Sequence, residues 1–221
     1  MKRNKLVVLA VVVLVVASIA AFEVYQALQP RRGGIDYASA SSTVHSPVRN
    51  GLELTATIKE VFLPEGQNLT VVAEVNNTLS TPLTVNATSI TNPAYGPCQQ
   101  AFASGVEVYS GNLTYLVLFN NGSNPTPLLL YDPSLTYTCP AVFNFQYVFQ
   151  PDSAMATINS SLAGHFYRTD TRLVNESSVV AGYWVETPTG YQLQKFPPGQ
   201  YTVVVFDAWG DRAIGHFQVV T

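Results

Sequence analysis

From Leu52 onward the apolar residues recur every second position. Leu52, Leu54, Ala56 and Ile58 alternate with Glu53, Thr55, Thr57 and Lys59, which is the repeat of a strand with one buried face. The repeat returns at Leu69, Val71, Ala73 and Val75, and again at Leu83, Val85 and Ala87 opposite Thr84, Asn86 and Thr88. Further strands are expected at 105–110, 113–119, 128–131, 141–149, 154–158, 179–186 and 191–196. In the fourth of these, Ala141, Phe143, Phe145, Tyr147 and Phe149 form an aromatic inward face. Turn residues such as Ser110-Gly111 and Asn121-Gly122 punctuate the series. No segment after the N-terminal run holds a helical period of about 3.6 residues. The chain is therefore expected to be all-β, one antiparallel β-sandwich over residues 51–221, with two smaller sandwiches as the alternative.

The C-terminal stretch KFPPGQYTVVVFDAWGDRAIGHFQVV reads as a hairpin closing that sandwich. Pro198 and Gly199 suit the two central positions of a type II turn. Tyr201 to Phe206 is apolar on both faces, as a central strand requires, and Ala213 to Val220 returns as its partner. Gly210 supplies a left-handed turn residue, Asp207 and Asp211 accept backbone N–H groups, and Trp209 folds over the sandwich edge. The alternative, a cation site on Asp207 and Asp211, falls short because calcium takes six or more oxygens. His216, in mid-strand, is expected to be half-buried or at the surface.

The other end sets the compartment. MKRNK precedes a run from Leu6 to Phe22 with no charge. As a helix this run covers roughly 25 Å, slightly short of a hydrocarbon core of about 30 Å. Two readings stand: a signal-anchor helix over 1–26 that keeps the chain in the membrane, or a signal peptide cut near Ala20, which would leave it secreted. Both export the remainder of the chain. Residues 27–50, rich in Pro, Gly and Ser, read as a flexible linker.

Export is also argued by modification and redox signals. Asn-x-Ser/Thr sequons occur at Asn68, Asn76, Asn86, Asn112, Asn121, Asn159 and Asn175, where random placement of the same residues gives about two. Those asparagines are expected glycosylation sites. The two cysteines, Cys98 and Cys139, are expected to pair in a structural disulfide. Charged residues make up 11% of the chain, against about 25% in typical domains. The exported part is acidic, with no basic face for nucleic acid. A surface so poor in charge suits an acidic exterior, in which carboxylates are neutral.

No catalytic, metal or cofactor residues are read from the sequence. A blue-copper site needs two His, a Cys and usually a Met gathered together, whereas His45, His165, His216, Cys98, Cys139 and Met155 are scattered. Leu135-Thr-Tyr-Thr-Cys139 loosely resembles the nucleophile strand of sortases, but it has the wrong residue order and no base in reach. His45 in the linker is the only upstream His, and Arg168 is the nearest downstream Arg.

The pattern from Leu52 to Val75, with Pro-Glu-Gly before a strand and Asn-Asn after it, together with Phe-Pro-Pro-Gly-Gln-Tyr-Thr before the last hairpin, resembles immunoglobulin-like or fibronectin-like modules of prokaryotic, including archaeal, cell-surface proteins. The resemblance spans about residues 51–221 and implies a fold rather than an activity. It departs from antibody domains, since no Trp lies between Cys98 and Cys139. The expectation is a non-enzymatic, membrane-anchored, glycosylated surface module with structural, adhesive or binding roles, whose partners are the membrane and other surface proteins or copies of itself. A first alternative is a subunit of an extracellular filament built by strand addition after signal cleavage, the added strand coming from residues 35–50. A second is an anchored envelope enzyme.

Overall fold

The alternation at Leu52 becomes a strand whose Leu52, Leu54, Ala56 and Ile58 are all buried. The computed structural model describes residues 40–221 apart from 101, 120–124, 140, 142–143 and 163–164, with side chains outside 162–169. The expected N-terminal helix, most of the linker, Asn121 and Phe143 lie outside the described residues. Among the described residues, no helix is long and apolar enough to cross a membrane.

Among the described residues, three four-stranded sheets make up the body of the fold. The first runs in the order β1 (Ser42–His45), β2 (Leu52–Ile58), β4 (Leu69–Asn77) and β12 (Asn175–Val180). The second runs β3 (Phe62–Pro64), β16 (Arg212–Val220), β15 (Gly199–Asp207) and β8 (Ser104–Ser110). The third runs β11 (His165–Leu173), β10 (Met155–Leu162), β9 (Asn144–Phe149) and β5 (Leu83–Thr88). Two ribbons complete it, β6 (Ile90–Thr91) with β7 (Gln99–Gln100) and β13 (Tyr183–Thr187) with β14 (Gly190–Gln194). Among the described residues, the strand pairings are antiparallel except β3 on β16. The architecture is all-β and sandwich-like, as the period predicts.

The first two sheets bury their alternating faces against each other. Leu54, Ile58, Val71 and Val75 from one meet Val203, Val205, Ala213, Phe217 and Val219 from the other in a single core. Gly215 lets them close, because a Cβ there would stand 2.5 Å from Ile58 Cδ1. β15 lies between β16 and β8 with Tyr201, Thr202, Val203, Val204 and Val205 buried, which accounts for its two apolar faces. The third sheet turns Phe145, Tyr147, Phe149, Ala156 and Ile158 into the same core. Asn77 joins it to the first: its buried amide donates to Thr81 O and Gln150 O at 2.9 and 3.0 Å, while Oδ1 accepts from Leu79 N.

Several expectations are corrected. Residues 113–119 form no strand; Tyr115–Phe119 is a short helix, α1, with Leu118 buried. Residues 128–131 contribute one bridge, Leu129 to Trp184, rather than a strand. The expected strand at 179–186 is two elements, β12 and β13, broken at Gly182, which has φ 153°. Ala141 is exposed and sits before β9, and among the described residues the inward aromatic row is Phe145, Tyr147 and Phe149. Gly199 takes no positive φ; it opens β15 and pairs with Val219, so no type II turn forms there. Residues 42–45, placed in the linker by composition, are an edge strand paired with β2 of the same chain. Val44 is the one apolar side chain of that strand, and it packs on the core.

Candidate functional site

The acid-rich turn after β15 is structural. Asp207 is buried, and its Oδ1 accepts the backbone N–H groups of Trp209 and Asp211, each at 2.9 Å. Gly210 takes the left-handed φ of 94° that the turn requires. Asp211 accepts no backbone N–H of the turn through its side chain in the described bonds; its Oδ1 lies 3.5 Å from Arg49 Nε. Burial, with the Asp211 charge adding to it, pushes Asp207 up to about 6 against the bonds that favour its anion. Trp209 stacks edge-on against Tyr147 and Phe149 and donates Nε1–H to Asn86 O at 3.0 Å. His216 is exposed, beside Thr202 Oγ1 at 3.2 Å.

Cys98 and Cys139 form a disulfide, with Cα atoms 5.1 Å apart. The bond pins an irregular segment to the turn at Pro93–Tyr95. Tyr137 packs over Gly96 there and donates to Asp132 O at 3.0 Å. Both sulfurs are committed to the bond, so Cys139 is no thiolate nucleophile.

Among the sequon residues, Asn68, Asn86, Asn112 and Asn175 are exposed. Asn76 and Asn159 are half-buried, and their amide nitrogens donate to Glu74 Oε1 at 3.2 Å and Gln146 Oε1 at 3.5 Å. The structure brings Asn86 and Asn159 onto one rung of the third sheet, each paired with Gln146.

One titratable constellation was not anticipated. Where the chain passes from β11 to β12 at Val174, a cleft of about 360 Å³ opens between that junction and Tyr95, Gln100, Phe102 and Ala103. Tyr147 and Ile158 line its third-sheet side, and Tyr95 stacks on Phe102 at 4.9 Å as a wall. Tyr95 also donates its hydroxyl to Ser177 O. Glu176 turns inward here: Oε1 accepts Ala103 N–H at 2.9 Å, while Oε2 is buried without a hydrogen-bond partner. Burial pushes its carboxyl up to about 7, against the opposing pull of the Ala103 amide and the Arg172 charge. Tyr147 is pushed up to about 12 by burial and by the Glu176 charge.

A carboxyl that keeps its proton towards neutrality, beside an arginine and an aromatic wall, has the chemistry of a small-molecule recognition site. The sequence does not show the site, because the strand expected at 179–186 starts three residues after Glu176, whereas β12 begins at Asn175. With its register in hand, Glu176 falls in phase with Ser178 and Val180 on the buried face, and an inward acid is the signal.

No protein-family model matches the chain, and no curated protein or solved structure shows significant similarity to it.

Proposed function

We propose that the chain is an exported, membrane-anchored and glycosylated surface module of immunoglobulin-like type, holding structural, adhesive or binding roles without catalysis. The Cys98–Cys139 disulfide carries this reading, because such bonds persist in oxidising compartments and are rare where thiols are kept reduced. The charge-free run at Leu6 to Phe22 supplies the means of export, and four exposed sequon asparagines supply acceptors on the outer side. The Glu176 cleft is the place on the body best suited to a small ligand. Absence of a nucleic-acid role follows from the acidic balance of residues 51–221.

Protease shaving of intact cells that express the full chain with a C-terminal tag tests the reading. The domain should be degraded without lysis. A tag protected until the membrane is opened would overturn export.

A further inference from the structure

The outward face of the third sheet carries no charge along β5, β9 and β10. β5 presents Thr84, Asn86 and Thr88; β9 presents Asn144, Gln146 and Val148; β10 presents Thr157, Asn159 and Ser161. A hollow of about 490 Å³ opens at the β5–β9 end of this sheet, where the amides and hydroxyls of Asn86, Thr88, Asn144, Gln146 and Ser161 meet an apolar floor that includes Phe145. Those five groups are neutral amides and hydroxyls, the complement of sugar hydroxyls, and an apolar floor suits the face of a sugar ring. Asn86, itself part of the lining, is exposed and opens the sequon Asn86-Ala87-Thr88. Its backbone is held at the attachment point by the Trp209 Nε1–H bond. Thr88, two residues on and therefore on the same face, donates to Asn144 Oδ1 at 3.4 Å.

From this geometry we infer that Asn86 carries an N-linked oligosaccharide whose first sugar ring lies in the hollow. The inference rests on the export reading and selects one acceptor among the described sequon asparagines. Attachment uses a glycosyl phosphate donor from the host. Asn86 Nδ2 bonds to the anomeric carbon as the bond from that carbon to the phosphate oxygen breaks. The phosphate leaves with the electron pair, and one Nδ2 proton passes to base. Asn159 shares the rung but is half-buried, with its Nδ2 already donating to Gln146, which makes it the poorer acceptor. Asn68, Asn112 and Asn175 are exposed but line no part of this hollow.

The test is site-resolved glycopeptide mass spectrometry of the full chain from its own host, with thermal unfolding of Thr88→Ala and Thr88→Ser. Thr88→Ser keeps the acceptor sequence and Thr88→Ala removes it. Asn86 should be occupied, and Thr88→Ala should unfold about 2–4 °C below Thr88→Ser. That gap should close when both variants are made in a bacterial cytoplasm without glycosylation. Asn112→Gln should leave the midpoint unchanged. A bare Asn86 with other sequons occupied overturns this inference and spares the export reading. Seven bare sequons overturn both. An occupied Asn86 with equal midpoints for the two Thr88 variants overturns the seating of the sugar.

Discussion

Ile58 Cδ1 fills the space that a side chain at residue 215 would take, only 2.5 Å from where a Gly215 Cβ would stand. The two residues belong to facing sheets, so their contact sets how closely β2 and β16 approach. Gly215→Ala is expected to cost about 1–3 kcal/mol by overpacking, measured by urea unfolding. Ile58→Val should recover part of that loss in the double variant, a coupling that a double-mutant cycle reads directly. Additive losses would mean that the sheets adjust elsewhere.

The disulfide gives a second prediction. Replacing Cys98 and Cys139 together by Ser should lower stability by about 2–4 kcal/mol, since the bond closes a long loop. Reductant should lower the unfolding midpoint of the parent chain and leave that of the double variant unmoved. A double variant as stable as the parent would remove the structural role assigned to the bond.

Stability should fall as pH rises. The carboxyls of Glu176 and Asp207 are raised from ordinary values of 4.5 and 3.8 to about 7 and about 6, chiefly by burial. A raised carboxyl binds its proton more tightly folded than unfolded, so its stabilising contribution is complete below about pH 4 and disappears as pH climbs to about 7. Thermal midpoints measured from pH 4 to pH 8 should therefore decline. Glu176→Gln should flatten the upper part of that decline, because the amide cannot ionise. A midpoint that climbs across this range would contradict the burial of both groups.

Much of the fold was legible in the sequence because two-residue periods survive whatever the strands pair with. Leu52–Ile58, Leu69–Asn77 and the hairpin at 199–220 were readable for that reason. Tyr115–Phe119 was not, since a five-residue apolar run suits a buried strand or a helical turn equally well. β1 offers a single apolar residue, Val44, and exists because β2 presents an edge to it. β11, HFYRTDTRL, alternates too little to be read as a strand and is ordered by its partner β10. The cleft stayed hidden for a related reason. Glu176 and Ala103 are distant in sequence, and only the pairing of β12 with β4 brings the acid inward.

The most direct measurement is the intact mass of the protein from its own host, denatured and alkylated without reductant. Export into an oxidising, glycosylating compartment requires no alkyl adducts and a mass above the polypeptide's own, with the excess lost on chemical deglycosylation. Two alkylated cysteines on a bare polypeptide would contradict it.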